Sequence, residues 1–446
     1  MECSEENCNL KILENDSKCI LHSNNKDKSF RKFWIEIRKD LKKNHSICKY
    51  SGYFNSNIIY KNVKFPIFEE HREPENKYDL DAVNNFYFGN KDETHEEQPY
   101  LDSIINECNI KFENCDFWEE VHFKNYHFSK NLSFINCTFE KEIFLNNNIN
   151  ASIEFINCTF YEKTELTKTI FNKNLTFNNC ILKKELSLEN TIFQEKSKVR
   201  IQNCKQIANA NFRNTTFKDL ADFNSSTFKE TINFEKTTFE DISVFENVTF
   251  KCSVDFKYTT FKELAQFNNS IFYEDFNLEN AIIKNEINFL KVKNGKNEDL
   301  KAKNIANRET ARIIKHSFEK LNNIIEANKY YALEMKKREE ELSCSCSADE
   351  IIFFLHKITS NHSQSWLLAL IWIVIFSIFG TGNNLADSIS KLYYCVEPFD
   401  LIAKSFYSIF KFNSENITLY KLIIKLFMGY LIYQFIISIR QNTRRK

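Results

Sequence analysis

The chain has 446 residues, with 60 basic and 60 acidic side chains, 44 Phe, 6 Gly and 4 Pro. So many aromatics exclude a disordered chain, and so little Gly and Pro excludes collagen-like or linker-like polymers. Zero net charge gives no bulk attraction to nucleic acid or acidic lipid, and no GxGxxG or GxxxxGK phosphate loop occurs.

In chain order, the N-terminus has no basic stretch followed by an apolar run, so it does not read as a secretory signal. Fourteen Cys over this length are too sparse for a disulfide scaffold, which points to a reducing cytosol. Cys3, Cys8, Cys19 and His22 are spaced C-x4-C-x10-C-x2-H. Four soft ligands within twenty residues suit a structural zinc, and residues 1–28 read as a knuckle that the metal folds. The alternative is three surface thiols in a frayed terminus. Ser29 then predicts an N-cap for a helix to about residue 43, with Phe30, Phe33, Trp34, Ile37 and Leu41 on one face covering the first coil of the central region. Three of the four Pro fall in 66–107, a loop-rich junction that completes a segment 29–107; residues 57–65 are strand-like.

The centre of the chain is periodic. Phe212, Phe217, Phe223, Phe228, Phe234, Phe239, Phe245, Phe250, Phe256, Phe261, Phe267 and Phe272 are separated by alternating steps of 5 and 6. The same steps run from Phe112 to Phe139 and resume at Phe155, with slips near 145–155 and 199–212. A mean step of about 5.5 residues smears the rings around a helix and misses the period of 2 of a strand. Short strands joined by corners explain it, with one inward residue per side. Two residues before many of the rings stands a small or branched residue: Thr215, Ala221, Ser226, Thr237, Ser243, Thr259, Ala265 or Ser270. Four sides make a coil of about 22 residues. Cys115, Cys137, Cys158, Cys180 and Cys204, spaced 22, 21, 22 and 24, should stack one per coil. They read as small buried residues rather than a metal or redox ladder, because no His or carboxylate recurs in register. No Gly or Pro occurs in 108–293, so Asn, Thr, Ser, Lys and Glu must form the corners, with Asn taking the left-handed conformation.

These residues, in the pattern F-x-x-[small]-T-F-x-x-x-x-x-F, resemble the pentapeptide-repeat family in its Phe-centred variant. The resemblance covers 108–293 and implies a mainly β chain, a right-handed quadrilateral β-helix with flanking helices. Some family members mimic DNA and bind topoisomerases. Residues 108–293 hold 23 basic and 25 acidic side chains, too balanced for a DNA mimic, and no nucleic-acid partner is expected.

Residues 304–342 change to a helical period, with a predicted apolar stripe of Ile314, Phe318, Leu321, Ile325, Ala332 and Met335. One helix of this length would be about 58 Å long, and Asn322-Asn323 marks a place for a break. It can cap the last coil, pack on a second copy, or both. The segment resembles the block that follows the repeats in bacterial membrane-attached pentapeptide-repeat proteins. Two apolar runs come next, extendable to about 363–383 and spanning 419–439, which predict a hairpin of two membrane spans over 363–439. Basic residues outside both ends place the termini in the cytoplasm of a cell whose inner membrane holds the hairpin. The loop 383–418 includes FDLIAKSFYSIFKF, which reads as an interfacial helix or a re-entrant pore helix. Residues 383–428 lack Gly, so a potassium-type filter is absent.

No catalytic constellation stands out. The expected function is a non-enzymatic, membrane-anchored scaffold or protein-interaction module for an unidentified protein partner or a second copy. The competing reading is a small oligomeric two-span channel with a β-helical sensor.

Overall fold

In a computed structural model of the chain, the described residues are 2–5, 8–13, 16–26, 28, 32–33, 36–37, 39, 57–65, 109–118, 120–123, 131–145, 147–342, 347–379 and 419–443. The expected contributions of Ser29, Phe30, Trp34 and Leu41, the junction 66–107 and the loop 383–418 lie outside them. The chain forms two compact units, Met1–Thr310 and Ala311–Lys446.

The first unit is a β-solenoid whose short strands are all paired in parallel, as successive coils require. One face is a ladder of ten rungs from Asn57–Lys61 to Ile287–Asn288. The second has ten rungs from Lys64–Phe65 to Lys293–Asn294. The third runs from Val121–Phe123 to Phe276–Asn277, and the fourth from Asn147–Ile149 to Ile282–Ile283. The longer strands Ile181–Ser187, Gln206–Asn211 and Thr227–Asn233 continue around one corner and join the second face to the third. The ladder begins at Asn57–Lys61, which pairs with Asn109–Glu113, so one rung precedes residue 108.

Inside, the rings form columns along the axis. Phe212, Phe234 and Phe256 stack at 4.7 Å per step. Phe171, Phe193, Phe217, Phe239 and Phe261 stack at 4.8–5.2 Å. Neighbouring columns meet edge to face, as at Phe234 and Phe245, 5.5 Å apart and inclined at 86°. This alternation suits the ring quadrupole, contributing about 0.5–1.5 kcal/mol per pair beyond burial. Thr215, Ala221, Ser226, Thr237, Ser243, Thr259, Ala265 and Ser270 are all fully buried, as their spacing predicts.

The corners explain how the coil turns without glycine. Asn114, Asn136, Asn157, Asn179, Asn203, Ser225, Asn247, Asn269 and Lys291 form one column with φ of 54–58°. Lys168, Asn190, Asn214, Lys236, Tyr258 and Asn280 form a second. The left-handed region costs a non-Gly residue about 1–2 kcal/mol, least for Asn. The Asn side chains bond in a ladder: Asn136 Nδ2 donates to Asn114 Oδ1 at 3.0 Å, and Asn157 Nδ2 to Asn136 Oδ1 at 3.0 Å.

The last coil is closed by the residues after it. Asn304 Nδ2 donates to the carbonyls of Phe272, Tyr273 and Glu274. Helix α1 (Arg308–Lys320) supplies Thr310 Oγ1 and Glu309 Oε1 as acceptors for the N–H groups of Leu278 and Asn280.

In the second unit, Asn322 takes a positive φ of 54° and Asn323 caps a new helix, α2 (Ile324–Glu341). The break corrects the single stripe expected over 304–342. Ile314 and Phe318 are buried on α1, but Leu321 and Ile325 are exposed, and α2 buries Ala327, Tyr330 and Glu334 instead. A left-handed residue resets the helical phase, so the stripe cannot continue in register. Buried Glu334 accepts from Arg312 Nε at 2.9 Å and Lys315 Nζ at 2.7 Å, tying α2 to α1. Helix α3 (Ala348–Ser360) starts with a capping box between Ser347 and Glu350. Helices α4 (Trp366–Phe379) and α5 (Leu419–Thr443) pack through Ile373, Ile424, Met428 and Leu431.

The first arm of the expected hairpin begins later than its apolar run suggests, and its end lies outside the described residues. Asn361, His362 and Ser363 are all left-handed, so the helix starts at Trp366 rather than 363. Its fourteen described residues reach about 21 Å, short of a hydrocarbon core of about 30 Å. Among the described residues one helix, over Leu422–Gln441, is long and apolar enough to cross a membrane.

Candidate metal centre

The described residues between Glu2 and Lys26 form a small ribbon. Isolated bridges join Glu2 to Lys11 and Ile12 to Cys19, and Leu13 N–H donates to the Lys18 carbonyl at 3.0 Å. These pairings bring the two halves of the C-x4-C-x10-C-x2-H sequence face to face. The turn after Cys19, where the N–H groups of His22 and Ser23 donate to its carbonyl, aims the imidazole back at the thiols.

The four donor atoms of Cys3, Cys8, Cys19 and His22 all lie within 4.8 Å of one another. Cys19 Sγ is 3.3 Å from His22 Nδ1, Cys3 Sγ is 3.5 Å from the same nitrogen, and Cys8 Sγ is 3.6 Å from Cys19 Sγ. Ligands at zinc distances on a tetrahedron are separated by about 3.3–3.8 Å, so the donor set can hold a metal ion. Cys3, Cys19 and His22 are buried and Cys8 is half-buried.

The surroundings complete it. Cys19 N–H donates to Cys3 Sγ at 3.2 Å, an outer contact of the kind that orients metal ligands. Burial pushes the Cys19 thiol up to about 12 and lowers the His22 imidazole. Both shifts penalise the charged form. A neutral imidazole is the form that ligates a metal, and a cation would have to displace the thiol protons.

No sequence pattern marks the buried Lys28. Its Nζ donates to the carbonyls of Leu21 (3.3 Å) and Ser23 (3.1 Å) and lies 5.0 Å from the Phe33 ring centroid. Burial lowers its amine to about 7. Phe33 and Ile37, predicted on the covering face, are both buried.

The ladder cysteines differ. Each sits just after a left-handed Asn, fully buried, and its thiol donates to a carbonyl of the preceding coil: Cys137 to Phe112 at 3.4 Å, Cys158 to Phe134 at 3.3 Å, Cys180 to Phe155 at 3.3 Å. In later coils Ser226 and Ser270 make the same bond to Ile201 and Phe245, both at 2.6 Å. Burial raises the thiols of Cys115, Cys158 and Cys180, which keeps them protonated donors.

The family model described as pentapeptide repeats (9 copies) matches residues 234–282. The matched stretch lies where coils keep a 22-residue spacing and the inward positions are nearly all Phe. The β-solenoid ladder continues beyond the matched stretch in both directions with the same parallel pairing. No curated protein and no solved structure matches the chain.

Proposed function

We propose that the protein is a non-enzymatic scaffold, a β-solenoid held at a bacterial inner membrane and facing the cytoplasm, where it binds a protein partner. A structural zinc at Cys3, Cys8, Cys19 and His22 belongs to this reading. The carrying observation is the division of labour along each strand. Inward side chains are consumed by packing and outward ones form a repeating polar lattice. Across successive coils Arg213 faces Glu189 and Glu235, Lys257 faces Glu279, and Lys262 faces Glu240. Exposed pairs of this kind add little stability. They cancel the field that nucleic acid would need, and favour recognition by a protein of matched pattern.

The tether is supported by α5, whose Leu426 is 67% exposed alongside Ile423, Tyr433 and Ile436. On α3, Ile351, Ile352, Phe354, Leu355 and Ile358 form one exposed apolar face, the pattern of a helix lying in a membrane interface. Fractionation of cells making the full chain tests the tether: it should stay with membranes through a carbonate wash. Release into the soluble fraction overturns it. Planar-bilayer recordings without conductance above lipid background separate the scaffold from the channel.

A further inference from the structure

The open end of a β-solenoid is its weakest point, because the first rung has an unpaired edge and the first ring column has no neighbour. Among the described residues the first rung is Asn57–Lys61 with Lys64–Phe65, and the N-terminal ribbon meets it. Lys64 N–H donates to the Leu21 carbonyl at 2.8 Å. Asn62 Nδ2 donates to Glu5 Oε2 at 3.0 Å. Phe33 closes on Phe65 edge to face, with centroids 5.5 Å apart. The two hydrogen bonds come from residues between the clustered ligands: Leu21 lies between Cys19 and His22, and Glu5 between Cys3 and Cys8.

The ribbon is too small to fold on its own core. Among its described residues the buried apolar side chains are Cys3, Cys19, Ile20 and Leu21. Segments of this size take their folding free energy from a bound metal. We infer that zinc at Cys3, Cys8, Cys19 and His22 acts as a switchable end-cap, so that metal occupancy decides whether the first rung of the solenoid is covered. This rests on the zinc reading above and adds a consequence to it. Loss of metal frays the solenoid from the N-terminal end and leaves its remote coils intact, because coils interact with nearest neighbours only.

Hydrogen exchange on the full chain tests this, paired with zinc analysis of the same samples. Wild-type protein is compared as purified, after chelation and dialysis, and after zinc is added back; Cys8→Ser is run beside it. Stripping should speed exchange at 57–65 and 109–117 by about tenfold or more. Amides in 238–272 should be unchanged, and zinc should restore the first group. If zinc binds stoichiometrically but exchange at 57–65 is the same with and without it, the cap is overturned and the zinc site stands. If wild-type protein takes up no zinc, both fall. Uniform acceleration along the whole ladder also overturns the cap, since it would mean global rather than end-on unfolding.

Discussion

Two sets of cysteines in one unit are both largely buried, yet their surroundings differ in kind. In the ladder, Cys137, Cys158 and Cys180 each donate to a backbone carbonyl of the coil before and are fully buried. At the N-terminus, Cys3, Cys8 and Cys19 face one another and an imidazole. The difference teaches that cysteine is read by its partners. In the ladder the position asks for a small donor, and Ser226 and Ser270 satisfy it equally. In the ribbon the chemistry of sulfur itself is the point.

If that comparison holds, the ladder should tolerate loss of sulfur far better than loss of rings or corners. Phe155→Ala should cost most. Phe155 is fully buried and stacks 5.0 Å from Phe134 and 4.9 Å from Phe177, so denaturant unfolding should show a loss of about 3–5 kcal/mol. Next comes Asn136→Ala, which forces a side chain poorly suited to φ 54° and breaks two rungs of the Asn ladder. About 1–2 kcal/mol is expected, and Asn136→Gly should cost less, because glycine removes the backbone part of the penalty. Cys158→Ser should change stability by no more than about 1 kcal/mol, since a hydroxyl can donate to the same Phe134 carbonyl. A loss as large as that of Phe155→Ala would mean that sulfur matters in the ladder after all.

A pH-dependent effect concerns Lys28. Its amine is lowered from 10.5 to about 7 by burial, facing Cys19, Lys64 and Asp16. Between those values the unfolded chain binds more protons than the folded one, so stability should rise with pH from about 7 to 10. Lys28→Met should remove that share of the slope, measured by unfolding at pH 7 and pH 9.5 against wild type.

The repeat was legible because Phe was counted, and it was lost where other residues take the inward place. Near 145–155 the inward residues are Leu145 and Ile149, with a coil one residue short. Near 199–212 they are Ile201 and Ile207, after two extra residues at the corner around Lys196. The rung 57–65 stood out locally as strand-like, but its partner 109–113 is separated from it by more than forty residues, which no local pattern can bridge. In α1 and α2 the phase reset depends on one left-handed Asn322, a backbone choice that periodicity does not encode. At the metal centre the ligand spacing was visible. The burial of Lys28 was not, because it arises from contacts with Leu21, Ser23 and Phe33 that no spacing pattern encodes.

Elemental analysis of purified full-length protein addresses the central claim most directly. Wild type should carry one zinc per chain, and so should a variant with Cys115, Cys137, Cys158 and Cys180 all changed to Ser. Cys8→Ser should lose it. Metal-free wild type, or zinc lost from the ladder variant while Cys8→Ser keeps it, would contradict the account.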